Sequence, residues 1–315
     1  MKSPDKLIIW LRQTRANFLF LAIFLNAIGI GLAYKYMPTG IHLQLNHIVF
    51  IILGTIAAHI SVNLYNEYSD YRTGIDFNTN RTPFNGGSGM LVQGFTRPSA
   101  VLNAAIGTLL FALAVGIYYS ITSHWILFLI IGIGAVSIVG YTEILAKYLL
   151  GELFAGLSLG SLVVIGTYVA LTGSPSLPIS HLIPREVWLL SIPPGILTSL
   201  LLFLNEFPDL EADKQGGRNH LLIRFGRNTG AYIYTAGALL TYIIILLLPL
   251  LGISSYWIYI ALIPLPLVVM NIRTTLKYNN DITKLIPALG GNVITVLVTD
   301  LLLAGSLAIA ILWVK

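Results

Sequence analysis

The chain has no cysteine in its 315 residues, which excludes disulfide frameworks, thiolate metal sites and cysteine nucleophiles. It is also poor in charge: 10% of residues are Asp, Glu, Lys or Arg, against about a quarter in ordinary soluble domains, and the mean hydropathy is +0.81. Lipid is therefore the expected solvent for most of the chain. The net charge of +5 forms no continuous basic stripe, because the cations sit between apolar runs, so nucleic acid is not an expected partner. No cleavable signal peptide is expected, since the first apolar run lacks a small-residue cleavage site and is followed by further runs.

What is abundant is apolar sequence. Nine runs approach the ~20 residues that a helix needs to cross the hydrocarbon core: 18–33, 48–65, 100–120, 125–141, 153–171, 188–204, 229–251, 256–270 and 294–314. The expected fold class is all-α, a polytopic membrane protein with nine transmembrane helices forming one domain over 1–315, with cytoplasmic cap loops near 66–98 and 205–228. With the N-terminus in the cytoplasm, every Lys and Arg except Lys35, Arg185 and Lys315 falls on the cytoplasmic side, as the positive-inside bias requires of a plasma-membrane protein. Glu67, Asp70, Asp76, Glu143, Glu152, Glu206, Asp209, Glu211 and Asp213 collect on that same side. Acidic residues contribute little to orientation, so these need another reason.

Two segments repeat: Asn66-Glu67-Tyr68-Ser69-Asp70 after the second run and Asn205-Glu206-Phe207-Pro208-Asp209 after the sixth. Four crossings separate them, which preserves orientation and lets two half-bundles bring the segments face to face. Helical spacing puts Asn66 and Asp70 on one face, with His59 and Asn63 upstream on the same polar line, and does the same for Asn205, Asp209 and Asp213. Pro208 is expected to disturb the last of these turns by removing a backbone donor. Carboxylates converging in a low-dielectric mouth repel one another unless a cation sits among them. Mg²⁺ suits such a site because it takes carboxylates, waters and substrate phosphates. Arg72, Arg81, Lys147, Lys214, Arg218 and Arg224 then serve as partners for phosphate oxygens. A secondary transporter also has repeats and intramembrane polar residues, but its site usually lies near the midplane and its repeats often invert.

These residues resemble the UbiA superfamily of intramembrane aromatic prenyltransferases, especially the branch acting on 1,4-dihydroxy-2-naphthoate in menaquinone synthesis. The resemblance is carried by residues 63–76 (NLYNEYSDYRTGID), 81–94 (RTPFNGGSGMLVQG), 141–152 (YTEILAKYLLGE) and 205–226 (NEFPDLEADKQGGRNHLLIRFG), and extends over nearly the whole chain. It implies a helical bundle around a central cavity, with an isoprenyl diphosphate, Mg²⁺ and an aromatic quinone-precursor acceptor as ligands. By the same resemblance Asn66, Asp70 and Asp76 look like a first metal-binding motif, and Asp209 and Asp213 like a second. Lys147 and Arg218 match phosphate-contacting positions, and Tyr141 matches a residue near the reacting carbon; Arg218 stands where the branch commonly has Lys. The catalytic set expected is Asp70, Asp209, Tyr141 and Lys147, with Arg72, Lys147, Arg218, Arg224 and Asn66 on the diphosphate. Tyr68 and Tyr141 offer ring faces to an allylic cation. Asn26 and Asn292 read as interhelical hydrogen-bonding residues, and Asp300 as an ionisable group within the last run. Gly86, Gly87 and Gly89 around Ser88 read as a tight loop over the mouth.

Overall fold

Backbone polar groups find no partners in hydrocarbon, so long apolar runs must satisfy them internally as helices. In the computed structural model, which describes residues 5–37, 42–141 and 144–314, every regular element among the described residues is helical. Glu143 falls outside them. The order is α1 (Lys6–Gln13), α2 (Leu19–Tyr36), α3 (Leu45–Thr73), α4 (Ile75–Asn78), α5 (Pro98–Thr122), α6 (Ile126–Gly140), α7 (Gly151–Gly156), α8 (Leu162–Thr172), α9 (Ile179–Leu182), α10 (Arg185–Gln215), α11 (Leu221–Leu250), α12 (Leu265–Tyr278) and α13 (Ile282–Val314).

Seven described helices are long and apolar enough to cross a membrane: Ala16–Tyr36, Leu45–Thr73, Pro98–Thr122, Gly151–Thr172, Arg185–Gln215, Leu221–Leu250 and Ile282–Trp313. The two remaining apolar runs are helical but different in form. Ile126–Gly140 has 15 residues, and Tyr256–Leu262 meets Leu265–Tyr278 at a 41° bend beside Pro264, which cannot donate to either segment.

The bundle is arranged around α10, whose apolar window is 67% buried, against 17% for the peripheral α5. It packs on α11, α13, α7 and the π-helical turn Leu157–Ser161 that links α7 to α8. Glycines make that crossing close: a Cβ added to Gly160 would stand 2.6 Å from the Gly195 Cα. Polar side chains join helices where expected. The Asn26 Oδ1 accepts from Thr167 Oγ1 at 2.8 Å and Thr55 Oγ1 at 3.3 Å, and Asn292 donates to the Leu200 carbonyl at 3.1 Å. At the other end of the bundle from the acidic motifs, Lys35 and Tyr36 on α2 donate to the buried Glu186 on α10.

Helices α3 and α10 contain 29 and 31 residues. At ~1.5 Å per residue both exceed a ~30 Å hydrocarbon core, so their acidic ends project beyond the apolar slab. Each ends on glycine: Gly74 takes φ +82° after α3, and Gly217 takes φ +81° just past α10. The segments from Asn66 to Thr73 and from Asn205 to Gln215 are therefore helix rather than cap loop. Pro208 does not interrupt α10, contrary to expectation. Its missing donor releases only the Leu204 carbonyl, and the turns on either side hold the helix, so Asp209 and Asp213 remain one turn apart on one face.

Candidate active site

The ends of α3 and α10 open onto one cavity of about 590 Å³, part of it solvent. Asn66 and Asp70 line it from α3, Asp76 from α4, Asn205, Glu206, Asp209 and Asp213 from α10, and Tyr141 and Arg218 from the connecting segments. The two related segments thus share a single space. Arg218 bridges them: its guanidinium pairs with Asp70 of one motif and, at 2.7 Å, with Asp213 of the other. Burial opposes the Arg218 charge, but Asp70 and Asp213 outweigh it and hold the guanidinium protonated beyond its ordinary range.

The segment between α4 and α5 folds over this mouth. Asn85 donates to Asp209 Oδ1 at 2.5 Å, Ser88 bonds Glu67, and Arg81 donates to the Asp76 carbonyl at 2.7 Å. Gly87, at φ +66°, brings its backbone so near the Asp76 carboxylate that a Cβ would lie 3.0 Å from Oδ1. Asp76 is 2% exposed, and its Oδ2 has no hydrogen-bond partner among the described residues. Burial, then the charges of Asp70 and Glu67, push its carboxyl up to about 7, with Arg81 and Arg15 opposing.

Some expected residues lie elsewhere. Tyr68 sits half a helical turn from Asn66 and Asp70, packs beside Leu64 and Leu91, and carries the Arg72 guanidinium 5.8 Å above its ring. It does not line the cavity, whereas Tyr141, the other tyrosine expected to face the cation, does. Arg72, Lys147 and Arg224 are exposed at the same end of the bundle, outside the lining. Glu206, part of the second repeated segment, lines it as well, and so do Arg15 and Asn85, which no sequence pattern marked for the mouth. Arg15 reaches the mouth through a left-handed turn at φ 51° between α1 and α2, which no local pattern announces.

The polar cavity continues into apolar space. Arg15, Asn66, Tyr141, Leu202 and Asn205 also line a neighbouring cavity of about 1070 Å³, where His59 presents a buried Nδ1 without a partner among the described residues. That cavity in turn shares Thr55, Ala58, Gly134 and Ile138 with a third, largely apolar one of about 800 Å³ between α3, α5, α6 and α8. Asp300 lies outside this path, fully buried in α13 with neither oxygen partnered among the described residues.

The profile of the UbiA prenyltransferase family matches residues 27–286. A 1,4-dihydroxy-2-naphthoate octaprenyltransferase of Bacillus subtilis is 28% identical over 264 residues, covering 82% of this chain and 79% of the relative. The protein of that name from Escherichia coli is 25% identical over 295 residues, covering 93% and 92%. A solved UbiA homologue from Aeropyrum pernix superposes with a TM-score of 0.70 at 12% identity over 94% of this chain and 98% of its own. Another from Archaeoglobus fulgidus, solved with DMAPP and Mg²⁺, gives 0.56 at 16% identity over 94% and 99%. With a family match across most of its length and the same fold in these structures, the chain belongs to the UbiA prenyltransferase family.

Proposed function

We propose that the protein catalyses Mg²⁺-dependent transfer of an isoprenyl group from an isoprenyl diphosphate to an aromatic acceptor, 1,4-dihydroxy-2-naphthoate or a related quinone precursor. It does so within a nine-span, two-half bundle in the plasma membrane, with the N-terminus and the mouth cytoplasmic. The observation that carries this reading is the junction of a carboxylate-lined cavity with apolar cavities that continue from it into the bundle. A charged head on a long apolar tail is the shape of an isoprenyl diphosphate. The relatives' names support the acceptor, and the DMAPP- and Mg²⁺-bound homologue supports the donor class.

The residues present fit Mg²⁺. Asn66, Asp70, Asp76, Asp209 and Asp213 form an oxygen donor set, and the orphaned Asp76 Oδ2 is a buried acceptor lacking a cation or proton donor among the described residues. Mg²⁺ held there supplies charge stabilisation to the departing pyrophosphate. Arg218, pinned by carboxylates of both motifs, presents its remaining donors to phosphate oxygens, and Arg15 adds a second cation to the lining. Arg72, Lys147 and Arg224 attract the polyanion from the rim. Tyr141, 8% exposed and shared by the polar and apolar cavities, offers its ring to the allylic carbon as positive charge develops. The unpartnered His59 Nδ1 accepts a hydrogen bond from an acceptor hydroxyl, orienting the ring for attack on the allylic carbon. The apolar walls keep water from capturing the cation.

Detergent-purified protein given Mg²⁺, a labelled isoprenyl diphosphate and a panel of aromatic acids is expected to release pyrophosphate only with acceptor present, and to prenylate the naphthoate. Transport of a solute into liposomes without covalent product would overturn this reading.

A further inference from the structure

Glu206 lines the mouth and also belongs to a second cluster, with Glu152 and His220, that the prenyl-transfer chemistry does not require. Glu152 opens α7, Glu206 lies on α10 and His220 precedes α11; each is at least nine-tenths buried, and one ligand atom from each falls within 4.8 Å of the others. The His220 Nε2 stands 3.2 Å from Asp213 Oδ2. An ionised Asp213 accepts there, and in the neutral imidazole that donates from Nε2 the lone pair stays on Nδ1. That lone pair lies 3.3 Å from Glu206 Oε2, another acceptor. The backbone N–H of Leu221 donates to Glu152 Oε1 at 2.8 Å. Glu152 Oε2, Glu206 Oε2 and His220 Nδ1 are all buried without a hydrogen-bond partner among the described residues.

Three buried atoms without hydrogen-bond partners call for a shared proton or a cation between them. We propose that Glu152, Glu206 and His220 hold a divalent transition-type cation, Zn²⁺ or a close relative, as a site separate from the one for diphosphate-bound Mg²⁺. The nitrogen ligand makes the distinction, because imidazole suits Zn²⁺ whereas Mg²⁺ prefers an all-oxygen shell. The outer contacts have the form that metal sites use: Asp213 fixes the histidine tautomer and the Leu221 amide orients a carboxylate. The ion joins three helices and anchors the turn carrying Arg218, two residues before His220, so that it holds in place the cation bridging the two acidic motifs.

The test is metal content without substrate. Full-length protein is stripped with chelator, dialysed against Zn²⁺ in the absence of Mg²⁺ and diphosphate, and assayed by mass spectrometry; Co²⁺ is loaded in parallel for its visible absorption. The expected result is about one tightly held ion per chain, a low-coordinate Co²⁺ spectrum, and binding weakened at least ~10-fold in Glu152→Gln and His220→Asn. Asp70→Asn, which removes a proposed Mg²⁺ ligand, keeps the Zn²⁺ while losing prenyl transfer, so failure of one assignment is distinguishable from failure of the other. Wild-type protein that retains no Zn²⁺ or Co²⁺ after dialysis overturns the proposal without recourse to variants. Full retention by a folded Glu152→Gln overturns it equally.

Discussion

Asp70 and Asp209 occupy matching places in the two related helix ends, and each meets a partner from outside its own helix: Arg218 for the first, Asn85 for the second. Replacing either with Ala removes one anion from a repulsive cluster, so the fold should survive while turnover falls by at least ~10²-fold, the scale of losing a principal electrostatic contact. Product formation at saturating Mg²⁺, with gel filtration to check folding, measures it. Asp76 makes the site pH-dependent. With its carboxyl raised to about 7, the folded protein without metal holds a proton that the unfolded chain has released. Its contribution to stability is therefore complete below the ordinary Asp range and is lost as pH rises towards about 7. Mg²⁺ bound as proposed must displace that proton, so its apparent affinity should tighten as pH rises towards neutrality and then level off. Calorimetric titration across pH checks this, and Asp76→Asn should make the profile shallower. The acidic residues were legible because their spacing is local. Arg72, expected on the diphosphate, stands with Tyr68 rather than Asp70, as the same spacing dictates, and lies outside the lining. Asn85 and Arg15 were illegible because loop and turn geometry, not periodicity, carries them to the mouth.

At the level of the helix, apolar length foretold where helices would form more reliably than where they would end. The motif ends of α3 and α10 continue helical until glycine stops them, while α11 changes direction at Gly226, where φ is +77°. Neither the π turn at Leu157–Ser161 nor the partners it meets can be read from hydropathy, since a slipped ladder leaves composition unchanged. The close passage of α7 and α8 against α10 depends on small residues. Gly160→Val would drive side-chain atoms into the Gly195 backbone, which cannot rotate away as a side chain can. A destabilisation of at least ~2 kcal/mol is expected from such overpacking, read as a lower midpoint of thermal unfolding in detergent. Gly107→Ala is the control, because beyond its own stretch of helix backbone no atom of the described residues lies within 4 Å of the added Cβ.

For the whole molecule, orientation is a measurable quantity, and the composition supplies the means to measure it. All but three of the 18 Lys and Arg residues sort to the side proposed as cytoplasmic, and the carboxylate-lined mouth opens on that side. A diphosphate made in the cytoplasm needs that arrangement, since a polyanion does not cross lipid unaided. Because the chain has no cysteine, a single introduced thiol reports one position against no background. Asn78, just beyond the first acidic motif, and Ser176, in the exposed connection between α8 and α9, serve as opposite probes. With a membrane-impermeant maleimide, Asn78→Cys should label only in inverted vesicles and Ser176→Cys only in intact cells. The reverse pattern would place the mouth outside, separate it from cytoplasmic donor and remove the rationale for the charge partition. Labelling of both from one side would leave an even number of crossings between them, a count incompatible with the nine-span topology proposed here.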